Sequence, residues 1–415
     1  MNSLAQDVDS WLSLKSGSEA RFAVYRRLRE ESPVFELASG RLLARHGDCL
    51  AVLRNHKQFL SGFDPDGPQI VEMRDSLPLE QRRKYEEVLA HQLRWLTSSN
   101  AEKHVALRTL ATRVFSLRAI EEMRERVQRE IDDRLDELAP RGEVEIISEF
   151  AYQLPLTIIS EMLDVPEEVR ESIHSSWQSM LKMIGNPIGV VPAVIDEVHA
   201  GMARLEAQLK HTFDLRRGQE TTDLLKRMLD VQEDESTGLS EQDVMGIVAQ
   251  MVIAGHQTTQ DTIGNALYEL LTHREQWQRL VAEPSLVPNA VEEVLRYRTP
   301  GQMIGRVAKD DYEIDGVQIP AGSRVTCLLG SANRDEGVFT DSDEFDVRRP
   351  NAKQHLAFSS GVHFCLGASL SRLEAGLFLE TFTRRFPDAR LLTQDVEWLP
   401  NTFLLGVREL RVGLK

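Results

Sequence analysis

Phe358-Ser359-Ser360-Gly361-Val362-His363-Phe364-Cys365-Leu366-Gly367 is the stretch on which the rest of the chain is read. A lone cysteine is ordinarily a small buried hydrophobe. Four features argue otherwise for Cys365. A helical pattern runs from about Leu366 to Phe386. The thiol therefore stands at a helix start, where free N–H groups and the positive dipole end favour thiolate over thiol. Gly361 permits a turn that a side chain would block, and Gly367 lets a flat ligand come close. His363, two residues earlier, can donate to an acidic group. No second Cys or His falls at zinc spacing. Cys49 and Cys327 are too few and too scattered for a disulfide framework. A single activated thiolate between glycines suits one axial bond to a metal in a planar macrocycle.

The composition fits such a protein. The chain has 415 residues, 49 Lys and Arg against 65 Asp and Glu, and a net charge of −16. With 41% apolar and 27% charged residues it reads as globular, not disordered, collagenous or coiled-coil. The acidic balance argues against nucleic acid as a partner. The first residues carry neither a basic nor an apolar signal region. The longest apolar candidate, Gly246 to Gly255, falls short of the roughly 18 residues a membrane span needs. A cytoplasmic protein with no membrane partner is expected.

Pro33–Leu37 and Arg41–Arg45 flank Ser39-Gly40 as a hairpin. Residues 62–75, with Gly62, Pro65, Gly67 and Pro68, read as a mobile loop. From Leu79 to Leu271 most of the chain reads as helix, broken near Pro140, Pro155, Pro166, Pro187 and Pro192. After Pro300 the pattern changes: Tyr312–Ile314, Asp315-Gly316 and Val317–Ile319 form a strand-turn-strand, and Val325–Leu329 another strand. The reading is a mainly α chain with small β-sheets, α+β in class and one domain over 1–415. Its helix-rich part covers about 80–300, and its β part about 301–415 plus 30–60.

Ser240-Glu241-Gln242-Asp243 opens a helix with a capping-box pattern. The helix runs to about Thr272, roughly 48 Å at 1.5 Å per residue. Its middle reads Ala254-Gly255-His256-Gln257-Thr258-Thr259. Glycine there costs about 1 kcal/mol relative to alanine, and adjacent threonines are poor helix formers. Rules broken in mid-helix mark a packing contact or a functional site. In the functional reading Gly255 makes room for a ligand, and the Thr258 hydroxyl bonds back to the Ala254 carbonyl and opens a notch for water. Elsewhere, Glu293-Val294-Leu295-Arg296 places a carboxylate and a guanidinium at i, i+3, alone an ordinary solvated pair.

Taken together these motifs resemble the cytochrome P-450 superfamily, in its bacterial soluble branch. The ten residues around Cys365 match the main positions of the family's haem signature, F-G/S-x-G-x-H/R-x-C-x-G, with Ser359 where glycine is commoner. Glu293–Arg296 is its E-x-x-R motif, and Ala254–Thr258 its A-G-x-D/E-T motif. The resemblance runs from about Arg21 to the C-terminus. It implies the cytochrome P-450 fold, a triangular helix-rich domain with a long central helix over the haem. It implies haem b as cofactor, with Cys365 as metal ligand and Phe358, Gly361, His363 and Gly367 around it. For the propionates it implies His104, Arg108, Arg306 and His355. It implies a buried structural triad of Glu293, Arg296 and Arg349, with Arg348 as the adjacent rival. It also places Thr258 beside bound dioxygen.

The implied enzyme is a haem-thiolate monooxygenase that takes two electrons from a separate ferredoxin and ferredoxin reductase. It would hydroxylate a small, mostly apolar organic molecule in bacterial secondary metabolism, as a monomer. Lys103, Arg108, Arg113 and Arg372 are the docking candidates for the electron donor. Pocket candidates are Gln250, Met251, Met303, Ile304 and Phe403, with Met180, Met183, Ile184 and Ile188 in a lid. Gln257 departs from the family pattern, since an amide cannot relay a proton as a carboxylate can. Ordered waters can suffice, Asp261 one turn on can supply the acid, or the chemistry differs: peroxide-driven oxidation, coupling or desaturation. A haem protein that senses a ligand without turnover is the remaining alternative.

Overall fold

The computed structural model describes residues 3–415 except 16, 18, 164, 166–174, 176–178, 181, 184–190, 218–223 and 234–237. Pro166, Pro187, Ile184 and Ile188 lie outside the described residues. The axis of the molecule is the helix Glu241–Thr272. The Ser240 hydroxyl accepts the Asp243 N–H while the Asp243 carboxylate accepts the Ser240 N–H, so the start is fixed by a reciprocal cap. Nearly every side chain along the helix is buried, as for a helix apolar all round. It packs on the helices Gln153–Met162, Pro192–Arg216, Val287–Tyr297 and Ala368–Arg385.

The proline breaks resolve in different ways. Pro140 sits in a short 3-10 turn that ends at Gly142 in a left-handed conformation. Pro192 opens its helix at the first position, where its missing N–H costs nothing. Pro155 breaks nothing. It lies in the first turn of Gln153–Met162, just after a π-helical turn at Ile147–Ala151. For the same reason residues 62–75 are not all loop: Pro68 is the first residue of a helix, Pro68–Ser76.

The largest sheet has five strands, in the spatial order Val34–Leu37, Gly40–Leu43, Arg324–Leu328, Met303–Ala308, Phe59–Ser61. Gly40–Leu43 runs parallel to Arg324–Leu328 and the other pairs are antiparallel. Arg306 faces Ser61 in register, which brings two distant segments to one site. Tyr312–Ile314 pairs with Val317–Ile319 across Asp315-Gly316, both at positive φ, 50° and 77°, as a tight hairpin turn requires. The helix after Cys365 is Ala368–Arg385, two residues later than its sequence pattern begins.

Candidate active site

The loop before Cys365 is folded by its own backbone. The Cys365 N–H donates to Phe358 O at 2.9 Å, and Phe364 N–H to Gly361 O at 3.1 Å. Gly361 has φ 72°, and a Cβ there would lie 2.7 Å from the Leu53 carbonyl oxygen. Only glycine fits. Around Gly367 a Cβ would meet nothing within 4 Å, so that side is open. Cys365 is the exposed one of the three cysteines, at the foot of its loop. Burial raises its thiol pKa, against the backbone N–H of Gly367 and the charges of Arg108 and Arg372. The helix start alone therefore does not make a thiolate. A coordinated metal does so outright.

Beside this loop stand four basic side chains. The His104 and His363 rings lie 4.1 Å apart. Burial, then Arg306, His104 and Arg108, push the His363 pKa down to about 3. Burial and Arg108 lower His104. Burial lowers Arg306 and Arg108 too. The buried Nε2 of His104 has no hydrogen-bond partner. Arg108 donates to the Phe364 carbonyl at 2.7 Å and Arg306 to that of Gly305 at 2.9 Å. Among the described residues no carboxylate forms an ion pair with any of the four. Such a group of mutually repelling, desolvated bases fits an acidic ligand, and the two propionates of haem have that chemistry. His56 also touches this field and was not anticipated.

His355 does not join them. Its Nε2 meets Glu292 at 3.2 Å and its Nδ1 accepts the Ala357 N–H at 3.1 Å. Arg372 holds the same carboxylate at 2.6 and 3.0 Å and stacks on Phe358. Both ring nitrogens are in use, so His355 braces the cysteine loop from behind. Two of the expected docking residues are paired within the chain. Arg372 is neutralised by Glu292, Lys103 is paired with Asp243 at 2.8 Å, and the Arg113 side chain lies outside the described residues.

The E-x-x-R pair is fully buried. Arg296 Nε lies 2.7 Å from Glu293 Oε2, and Arg349 Nε 3.1 Å from Glu293 Oε1. Arg348 points elsewhere, to Glu283 at 2.6 Å. Arg296 further donates to the carbonyls of Asn333, Ser342 and Glu344. The pair so ties down the segment that leads to the cysteine loop.

On the central helix, Ala254 is exposed and Gly255 and Thr258 are half-buried, although the residues around them are buried. Thr258 Oγ1 donates to the Ala254 carbonyl at 2.7 Å. The helix span Glu241–Thr272 runs on through this bond. Gly255 faces elsewhere: a Cβ there would touch Ile159 at 3.4 Å, so its smallness serves packing on Gln153–Met162. Gln257 Nε2 donates to Asp261 Oδ1 at 2.8 Å.

A cavity of about 300 Å³ lies between the strands Phe59–Ser61 and Met303–Ala308, the 92–98 segment and the cysteine loop, and Ala254, Thr258 and Cys365 are not among its lining residues. Phe63, Trp95, Met183, Met303, Ile304 and Phe403 form its apolar wall, and Arg306, Arg324 and His363 line it as well. Gln250 and Met251 do not line it. Gln250 accepts the Leu96 N–H at 2.7 Å and donates to Thr97 Oγ1 at 2.6 Å, so it pins the wall in place. Met251 belongs to the main core. Met180 is buried in the same core. Sequence reading missed Arg324. It flanks Gly305 across the sheet, a pairing visible only once the strands are in register.

A cysteine three residues before a helix, with a cluster of basic side chains beside it and no carboxylate paired to them among the described residues, meets the needs of a haem-thiolate site. The cytochrome P450 family model matches residues 80–407. The cytochrome P450 monooxygenase PikC of Streptomyces venezuelae is 34% identical over 322 residues, covering 76% of this chain and 75% of PikC. The solved structure of P450BioI, in complex with hexadec-9Z-enoic acid ligated acyl carrier protein, superimposes with TM-score 0.86 at 30% identity. It covers 98% of this chain and 100% of that one. CxnD, a cytochrome P450 for C–S bond formation in chuangxinmycin biosynthesis, has TM-score 0.82 at 28% identity, covering 95% of this chain and 94% of CxnD. The chain belongs to the cytochrome P450 family and is a bacterial P450 monooxygenase with the P450 fold. The family carries haem on a cysteine thiolate. No helix among the described residues is long and apolar enough to cross a membrane.

Proposed function

We propose that Cys365 is the axial ligand of haem b, that His104, Arg108, Arg306 and His363 receive its propionates, and that the enzyme hydroxylates a small, largely apolar organic molecule. One observation carries this reading: four basic side chains without a carboxylate gather beside a cysteine whose loop only glycine at 361 can close. Bound haem supplies dioxygen activation with two electrons. The remaining tasks belong to the chain. Gly367 and Arg108 direct an N–H and a positive charge toward the Cys365 sulfur. Arg108 also bonds the loop at Phe364. The apolar wall from Phe63 to Phe403 orients the substrate and excludes water, while Gln92, Thr97 and Ser98 offer it a few polar contacts. Ala254 and Thr258 are accessible on the central helix, and Thr258 Oγ1, its hydrogen engaged by Ala254, presents lone pairs to an incoming proton donor.

Electrons come, in this reading, from a separate ferredoxin and ferredoxin reductase, and the enzyme works in the cytoplasm as one domain and a monomer. Gln257 in place of an acid favours a second reading, an oxidation other than hydroxylation on the same fold, which product analysis separates from the first. The test is spectroscopic. Reduced under carbon monoxide, the wild type should show the far-shifted band of sulfur-ligated haem, and Cys365→Ser should lose it. A wild type without that band, or a variant that keeps it, ends the proposal. A library of apolar acids, steroids and macrolides, screened by displacement of iron-bound water in the haem spectrum, then finds the substrate class.

A further inference from the structure

Ala254, Gln257, Thr258 and Asp261 stand at i, i+3, i+4 and i+7 and so share one face of the central helix. The residue before Thr258 is an amide, which carries no proton to give. One turn further, Asp261 is buried, and Gln257 Nε2 holds its Oδ1 at 2.8 Å. Its other oxygen, Oδ2, is buried without a hydrogen-bond partner. The carboxyl fits there only because residue 406 is glycine: a Cβ at Gly406 would lie 2.2 Å from Oδ1 and 3.0 Å from Oδ2. A buried carboxyl with one oxygen satisfied as an acceptor and the other bare is arranged for the neutral acid, with its proton on the bare oxygen.

We propose that Asp261, held by Gln257, is the acid that supplies protons to the Ala254–Thr258 face. This rests on the haem-thiolate reading above. The step moves a proton and no electron. The Asp261 Oδ2–H bond breaks, the proton passes to the oxygen of a water and on to the Thr258 face, and the resulting carboxylate keeps the Gln257 N–H. A proton taken up from bulk solvent then returns to Oδ2 through the same water, which is left neutral. Burial holds the Asp261 pKa up at about 8, opposed only by the Gln257 hydrogen bond, so the acid form is the resting form at neutral pH. No charged side chain from the helix or from the segment around Gly406 enters that balance among the described residues. Asp261 is thus a proton-holding residue that acts through water, and Gln257 a positioning residue.

The experiment compares wild type, Asp261→Asn and the exchanged pair Gln257→Glu with Asp261→Asn, all as holoenzymes. Infrared difference spectra at pH 7 should show a protonated-carboxyl C=O stretch in the wild type that Asp261→Asn lacks. NADPH oxidation, driven by a plant-type ferredoxin and its reductase without added substrate, should fall about 10²-fold in Asp261→Asn, with a larger solvent deuterium effect. The exchanged pair should recover most of that loss, which a merely structural role for Asp261 would not produce. An absent acid band, or an Asp261→Asn rate equal to wild type, overturns the assignment. If Asp261→Asn does not fold, the exchanged pair decides together with the acid band that remains in Glu374→Gln, which lacks the other carboxyl raised to about 8. The carbon monoxide spectrum of each variant separates the causes. A normal sulfur-ligated band with unchanged rates condemns only the role of Asp261, and a missing band in the wild type condemns the haem-thiolate reading itself.

Discussion

Ser359 and Gly361 lie two residues apart in the cysteine loop, and both have left-handed backbones, with φ 61° and 72°. For a residue with a Cβ that conformation costs about 1–2 kcal/mol. Ser359 bears this cost, and its buried hydroxyl has no partner. Ser359→Gly should therefore stabilise the holoenzyme by about 1 kcal/mol, the greater freedom of glycine in the unfolded chain cancelling part of the gain. The urea midpoint reads it, and a midpoint at or below that of the wild type would show that the loop is not strained there. The sequence already marked Ser359 as the odd residue of its motif. It could not show that φ is the reason, because φ at 359 follows from the Ser359 N–H reaching back to Leu356 O. The His355 reading failed for a related cause. A histidine before the loop has the right chemistry for a propionate, but Glu292, 63 residues away in the chain, reaches it first.

The Val287–Tyr297 helix depends on one guanidinium. Arg296 makes five hydrogen bonds, two to Glu293 and three to carbonyls of residues 333, 342 and 344. An ammonium has three donors and no plane. Arg296→Lys should thus leave buried carbonyls and part of Glu293 unpaired and cost about 3–5 kcal/mol. The expected outcome is a protein that expresses with little haem, and the haem-to-protein absorbance ratio measures it. Equal haem content in Arg296→Lys would refute the bracing role. Elements of this kind were legible where the signal is local. The Ser240 cap, the Asp315-Gly316 turn and the break near Pro192 were all read from neighbouring residues. Contacts across the chain were not. Gln250 on the central helix finds Leu96, 154 residues earlier, and no local pattern distinguishes that pin from a pocket residue.

At the scale of the whole molecule, buried carboxyls set how stability changes with pH. Glu292 would be raised by burial, but His355 and Arg372 win and hold it at about 2. Its contribution is complete above about 4.5 and is lost as pH falls from there toward 2. Asp261 and Glu374 behave in the opposite way. Burial raises both to about 8. In the unfolded chain each has released its proton by about pH 5, whereas in the folded protein each keeps it until about 8. Over that interval the folded state binds the extra protons, so stability must fall as pH rises, and level off above 8. Each retained proton contributes a slope of about 1.4 kcal/mol per pH unit. Between about pH 4 and 6.5 the depressed His363 works against this fall, because there the unfolded chain binds the proton that the folded one refuses. From about pH 6.5 to 8 the two carboxyls act together with His273, whose pKa its hydrogen bond to Glu269 raises, so that its proton too is held longer in the folded state. Urea midpoints of the holoenzyme across this window should decline steadily in the wild type. Asp261→Asn and Glu374→Gln should each reduce the slope by a similar amount, and the slope left in the double variant belongs to His273. A wild-type midpoint that holds constant or rises in this window would mean that both carboxyls ionise inside the folded protein, and the proton held at Asp261 would be lost with them.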